Sequence, residues 1–359
     1  MQVLPVSVLC VLNDTLVAYK HGALYTYRFE PGKPLAEHRF LCRIPMSNTH
    51  RLMAYLPIFY RVFRTVPRAA APVSDHEFIL AFLGQIFRVD IRSGEIVTEH
   101  VFRKPMRAPI SFAELRNVPG FSDALLYGEY HGNIDNGAMS VFARTANGDW
   151  TCVYTFPAGS VCHIHGFCPD TENRRVLILT GDTDEQSAIY VATDDFQHVE
   201  PLLAGSQQYR ACVAFADKNG LLYATDTPLS PNAVYVYREG EQPQKIYELP
   251  GPCIFGSKAA DGCYWLATSV EPDSRLPWYR YLLTRKLGAG VNDRYVHIVN
   301  GDLDEGFQTV LRMKKDWLPM TLCQFGNASF VPYENGMLIV PQSVFRYEGK
   351  TIYMERSTL

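Results

Sequence analysis

Residues 163–205 (HIHGFCPDTENRRVLILTGDTDEQSAIYVATDDFQHVEPLLAG) and 209–251 (YRACVAFADKNGLLYATDTPLSPNAVYVYREGEQPQKIYELPG) share an order of parts but few residues. Each reads as an apolar strand, a tight Asp/Asn/Gly turn, and a second apolar strand closing on Gly-Asp or Thr-Asp. A loop, an alternating strand, a short turn and a last strand follow. Similar clusters recur about every 45 to 60 residues along the whole chain. A unit of four antiparallel strands at this period is the pattern of a β-propeller blade, because one such sheet buries its faces only by stacking on its neighbours. The expected fold is therefore all-β: a single propeller domain over residues 1–359, built of four-stranded antiparallel blades, seven in number or alternatively six.

The blades are read as follows. The first holds VSVLCVLN, TLVAYK, ALYTYRF and LAEHRFL; the second EFILAFLG, QIFRVDI and IVTEHVF; the third ISFAEL, ALLYGEYHG, AMSVFART and WTCVYTF. The pair above makes the fourth and fifth, and PCIFGSKA, GCYWLATSV, DRYVHIV and FQTVLRM make the sixth. The last cluster (NASFVPYEN, GMLIVPQS, KTIYMER) is one strand short, and the N-terminal MQVLPV is placed to complete it, leaving no free sheet edge. Two segments break the rhythm, residues 46–72 and 271–294. Both are read as insertions, which on a compact scaffold serve function or an interface; the first is a candidate surface for a homo-oligomer.

A net charge of −3 with no Lys/Arg block longer than two residues argues against nucleic acid as a partner. No run approaches the ~18 uninterrupted apolar residues of a membrane-spanning helix, so no membrane association is expected. The N-terminus lacks the basic start of a signal peptide. Nine cysteines, an odd number without C-x-x-C spacing, fit reduced thiols in a cytoplasmic protein better than a disulfide framework.

In a blade, the opening of the first strand and the end of the second lie on one rim around the axis. First-strand openings carry His50-Arg51, Arg107, His163 and His165, Tyr209-Arg210 and Ser257-Lys258. Second-strand ends carry Lys20-His21, Gln85, Glu129-Tyr130-His131, Asp182, Asp226 and Glu271. The opposite turns hold simple turn formers such as Asp-Lys-Asn-Gly and Glu-Asn-Gly. Arg51, Arg107 and Arg210 are candidates to grip an anion, since the guanidinium fork matches a carboxylate; the competing role is an ion pair with Glu129 or Asp226. His131, Lys258 and Glu271 are further candidates for binding substrate. His163 and His165, two apart on a strand, serve acid–base chemistry or hydrogen bonding. They chelate a metal only if a third ligand, such as His131 or Asp182, joins them; no cofactor is expected. Glu129, Tyr130 and Tyr209 supply a nucleophile or base, and Asp182 or Asp226 an acid if an apolar wall raises its pKa. The absence of a P-loop, a nucleophile elbow and a G-x-G-x-x-G argues against kinases, α/β-hydrolases and Rossmann enzymes.

The turns TANGDW (145–150) and ATDDFQHV (192–199) resemble eroded Asp-boxes, the Ser/Thr-x-Asp-x-Gly-x-Thr-Trp hairpins of the sialidase-like (BNR-repeat) propellers. The resemblance implies a carbohydrate-active glycoside hydrolase acting on an acidic sugar or oligosaccharide. Arg51, Arg107 and Arg210 would hold the carboxylate, with Arg43 in CRIPMS a further candidate. Glu129 with Tyr130 or Tyr209 would act as nucleophile, and Asp182 or Asp226 as acid. A uronate lyase using arginine with His/Tyr acid–base groups is an alternative, and a non-catalytic glycan- or protein-binding propeller is another.

Overall fold

A computed structural model describes residues 1–356. Its strands form seven four-stranded antiparallel sheets. Blades one to six are each continuous in sequence and span residues 7–43, 69–101, 113–156, 163–204, 211–249 and 253–314. Blade seven takes Asn327–Tyr333, Gly336–Gln342 and Thr351–Glu355 from the C-terminal end, and its outer strand is Gln2–Leu4. The count is seven, and the N-terminal segment closes the ring as expected. The pairing runs Gln2 to Tyr353, Val3 to Ile352 and Leu4 to Thr351.

The second strands of the blades are almost wholly buried, as in Glu77–Phe82 and Arg175–Gly181, because each is covered on both faces by adjacent sheets. The outer strands Ala36–Arg43 and Gln244–Leu249 are largely exposed and carry charges, which keeps an unpaired edge from recruiting another chain. Among the described residues the apolar core divides into seven clusters, and each fills one seam. Leu12 and Phe78 meet between blades one and two, Ile79 and Tyr127 between two and three, and Val141 and Ile178 between three and four. Leu177 meets Tyr223 in the next seam, Val234 meets Leu266, and Trp265 meets Ile339. The last seam, Leu4 and Leu16 against Leu338 and Tyr353, joins seven to one. All nine cysteines are free.

The first irregular segment differs from expectation. Its end, Ala69–Pro72, is the inner strand of blade two and pairs with Phe78–Ala81. An Ala-Ala-Ala-Pro run lacks the β-branched and aromatic residues that mark a strand, so position in the ring overrides propensity here. The preceding residues form helices α1 (Asn48–Tyr55) and α2 (Phe59–Val62). Residues 271–294 do interrupt blade six between its second and third strands, and hold helix α3 (Trp278–Leu283). None of these helices is long and apolar enough to cross a membrane.

The Asp-box-like turns lie between third and fourth strands of blades three and four, where they were expected. Their residues serve packing. Trp150 donates its indole N–H to Glu99 Oε1 at 2.9 Å across the seam, and Phe196 is buried against Phe121.

Leu4 is 1 % exposed in the closing seam. Truncation in Leu4→Ala is expected to cost about 2–5 kcal/mol, read as a lowered denaturation midpoint at unchanged slope. Stability equal to the parent would show that the N-terminal strand does not close the ring.

Candidate functional site

The funnel at one end of the ring axis holds a cavity of about 490 Å³. Its wall is drawn from the α2 segment (Arg64, Val66, Pro67), blade two (Arg68, Phe82), the link into blade three (Arg107), and the end of that blade's second strand (Tyr130, His131). The far side adds Phe255 of blade six, Tyr281 of α3, and the link into blade seven (Thr321, Gln324). Both insertions therefore reach the same mouth. No aspartate or glutamate is among the lining residues.

Three arginines face this space. The backbone holds two of them against one turn of blade two: Arg68 N–H donates to Ala81 O, and Gly84 N–H to Arg107 O. Arg64 sits at φ +54°, in the left-handed region that ends α2. The Arg68 guanidinium lies 4.6 Å above the ring of Tyr130. Partial burial, followed by the charges of Arg68 and Arg107, pulls the Arg64 pKa below its ordinary value. Among the described residues none of the three forms an ion pair, whereas Arg61, Arg103, Arg144 and Arg210 all do. Like charges held close on a wall without carboxylates give the cavity a positive field that favours an anion.

Of the expected arginines only Arg107 is in this wall. Arg51 is exposed on α1, because residues 48–55 are helical rather than the opening of a strand. Arg210 is buried and spent: Nη2 lies 2.9 Å from Asp182 Oδ1, and Nη1 donates to Asp182 O at 3.1 Å. Arg43 is likewise off the wall, hydrogen-bonded to Tyr55. Lys258 ends its strand, Cys253–Lys258, instead of opening it. It sits at the opposite end of the axis and pairs with Asp217 at 3.1 Å. Tyr209 belongs to a 3-10 turn packed on the apolar seam between blades four and five.

Glu129 is buried, and its carboxylate accepts from Arg103 Nη2 at 2.6 Å and from Ser140 N at 2.8 Å. Tyr130, one residue on, points the other way. It lines the cavity, its ring 4.4 Å from that of His163. Burial pushes its phenol up to about 12, against the pull of Arg68. His131 lines the cavity beside it.

A second polar layer lies behind Tyr130. His163 and His165 open the inner strand of blade four, and a β-bulge between Ile164 and Gly166 makes His165 the extra residue. The inner strands of blades one, five and six bulge at the equivalent place, which adds Leu9, Cys212 and Ile254. Such bulges re-aim side chains, and period-two reading of the sequence does not reveal them. Both imidazoles reach Asp182 Oδ1, His163 Nε2 at 3.4 Å and His165 Nε2 at 3.9 Å. Gly181 permits this approach, since a Cβ there would stand 2.6 Å from His165 Cε1 and 3.0 Å from Arg210 Cγ.

The electrostatics of this layer are divided. Burial disfavours the His163 cation, but Asp182 outweighs it and raises the pKa to about 9. Burial, with His163 adding to it, drops His165 to about 3. Burial also opposes ionisation of Asp182, yet His163 and Arg210 hold it well below the usual carboxylate range. Asp226, which accepts from Cys212 Sγ at 3.1 Å, is raised by burial despite Arg210. Glu271, bonded to Ser269 Oγ, is raised to about 8 by burial and then by Asp226. Asp182, Asp226 and Glu271 thus lie behind the wall, at second-strand ends or just beyond them as expected, but not on the cavity surface.

No family model matches this chain, and no curated protein does. Among solved structures it is similar to the WD40 β-propeller domain of Doa1, with TM-score 0.57 and 9% identity over 99% of this chain and 96% of that one. A puromycin-hydrolysing peptidase of Mycobacterium tuberculosis gives TM-score 0.53 and 12% identity, over 98% of this chain and 53% of the other. The extracellular domain of a putative hybrid two-component system (BT4673) of B. thetaiotaomicron gives 0.52 and 9%, over 96% and 38%. At such identities the likeness shows the β-propeller fold alone and does not extend to membership of the sialidase-like superfamily.

Two outcomes follow from the buried layer. Adding a methyl at Gly181→Ala is expected to cost about 1–3 kcal/mol through displacement of His165 and Arg210, measured by chemical denaturation; a neutral result would mean the layer is loosely packed. Glu271 takes up its proton more readily folded than unfolded. Its contribution is therefore full below about pH 4.5 and is lost as pH rises through about 8. Glu271→Gln should flatten the fall in stability across that window and be the more stable form above it. Parallel pH curves for the two proteins would refute the assignment.

Proposed function

We propose that this propeller binds an anionic carbohydrate, an acidic sugar or oligosaccharide of uronate type, in its funnel. The observation that carries the reading is the convergence of Arg64, Arg68 and Arg107, unpaired, on a wall without carboxylates. Guanidinium forks bind a carboxylate in bidentate fashion, and several together offset the cost of stripping its water. The rings of Tyr281 and Phe255 on the same wall offer apolar surface, and Tyr130 and Tyr281 add phenolic hydroxyls, which together suit a sugar's mixed surface. The volume falls within the range of ligand sites, roughly 300–1,000 Å³.

Hydrolysis of the sialidase kind is the least supported chemistry. It calls for a tyrosine nucleophile activated by a glutamate and for an aspartate acid, and Glu129, Asp182 and Asp226 all lie off the wall and are engaged elsewhere. A second reading, elimination, draws on one observation: His131 and Tyr130 share the wall with the arginines. Arginines on a uronate carboxylate make the α-proton more acidic. His131 would take that proton, a C=C bond would form as the β C–O bond breaks, and the Tyr130 hydroxyl would protonate the leaving oxygen.

Titration calorimetry with trigalacturonate against a neutral trisaccharide tests the binding. Binding should be confined to the acidic ligand and weaken with salt. Arg64→Ala, Arg68→Ala and Arg107→Ala should each weaken it roughly 10- to 100-fold, as expected for loss of a charge-assisted hydrogen bond. Equal binding of the neutral sugar, or arginine variants that bind as the parent does, would refute it. The ultraviolet absorbance of an unsaturated uronate, present with the parent and lost in His131→Ala, would establish elimination; none after long incubation would reject it and leave the binding role.

A further inference from the structure

A second site, beyond the anion cavity, lies one layer deeper. We propose that Cys162, His163, His165 and Asp182 bind a zinc-class divalent cation directly behind Tyr130.

The donor atoms of Cys162, His163 and Asp182 lie within 4.8 Å of one another. Asp182 Oδ1 is 3.4 Å from His163 Nε2 and 3.9 Å from His165 Nε2. Bonds of about 2.0–2.1 Å at tetrahedral angles place nitrogen and oxygen donors about 3.3 Å apart, close to the His163–Asp182 separation; His165 and the Cys162 sulfur would draw in to complete the set on an ion. One thiol, two imidazoles and one carboxylate is a donor set that zinc accepts.

Three features point to a cation rather than to an ordinary ion-pair network. First, His163 is 7 % exposed, and its buried Nε2 makes no well-formed hydrogen bond, Asp182 Oδ1 lying 3.4 Å away. Second, both rings are oriented from behind. His165 Nδ1 is 3.0 Å from Ala211 O and His163 Nδ1 is 3.3 Å from His131 O. A carbonyl can only accept, so each Nδ1 carries a proton and each Nε2 is the atom left to ligate, with His163 giving up its second proton to an incoming ion; this arrangement holds a ligating imidazole in place. Third, the guanidinium competing for Asp182 has somewhere else to go. Arg210 Nε and Asp226 Oδ1 are both buried without partners, and Arg210 Nε is 4.0 Å from Asp226 Oδ2. A metal entering at Asp182 would move Arg210 toward Asp226 and satisfy both. The neighbouring trio of His165, Cys212 and Asp226 also has its donor atoms within 4.8 Å. It is the weaker cage, because the Cys212 thiol already donates to Asp226.

The test uses the whole chain, stripped with chelator, dialysed and titrated with zinc chloride or cobalt chloride. The stripped protein should take up one equivalent of zinc. Cobalt should give visible bands of a tetrahedral site with a thiolate charge-transfer band. Cys162→Ser should lose that band, His163→Ala and Asp182→Asn should lose uptake, and Lys258→Ala, at the far end of the axis, should keep it. No saturable uptake by the parent, or uptake unchanged in His163→Ala and Asp182→Asn, overturns the proposal. Circular dichroism reports whether those two variants fold. If either does not, alkylation of the parent followed by peptide mass mapping decides: zinc should protect Cys162 selectively, and an unprotected Cys162 rejects the site.

Discussion

Every feature of this molecule rests on the closure of blade seven by the first residues of the chain. The pairing of Gln2–Leu4 with the last strand is short, and a side chain reinforces it. The Thr351 hydroxyl accepts from Val8 N at 3.0 Å and donates to Val6 O at 2.8 Å, which clips the crossover into blade one onto the C-terminal strand. Tyr333 adds a bond to Phe29 O across the same seam at 2.6 Å. A ring of sheets has no free end only while this seam holds, and the other six seams depend on it for their curvature.

Closure also explains why polar groups far apart in the chain meet. Arg64, Arg107, Tyr130 and Tyr281 belong to four different connections, and Tyr281 of blade six meets the others, from blades one to three, only because the ring closes. The arrangement has two layers with separate tasks. The outer layer is cationic and aromatic without acids, and it suits an anion. The inner layer balances its own charge through Asp182, Arg210, His163, Asp226 and Glu271, and the Tyr130 ring stands between His163 and the cavity.

The architecture was legible from the strand rhythm because each blade repeats the same burial demand at the same spacing, and because turn formers crowd one rim. The site was legible only in part. Arg107, Tyr130 and His131 follow from where strands begin and end. Arg68 does not, since the strand it opens, Ala69–Pro72, has no β signal of its own. Arg64 sits in a helical segment that obeys no blade rule. Sequence pattern puts Lys258 on the wrong rim, because a polar residue looks the same at either end of a short strand. The bulge that turns His165 inward is a change of register, which depends on the partner strand and leaves no mark in composition. Two of the expected anchors, the carboxylate of Glu129 and the guanidinium of Arg210, hold the scaffold together instead.

The α2 segment bridges parts of the ring that the backbone separates. Arg61 is 5 % exposed, pairs with Asp316 at 2.5 Å and donates to Cys323 O at 2.8 Å, while Tyr60 reaches Glu348 at 2.6 Å. A strap leaving blade one is thereby riveted to the links around blade seven, on either side of the closing seam. Arg64 stands on that strap, and Arg107 stands on the blade two side of the mouth. An anion gripped by both would act as a second clasp across the ring, so occupancy of the mouth and resistance of the ring to opening are thermodynamically linked.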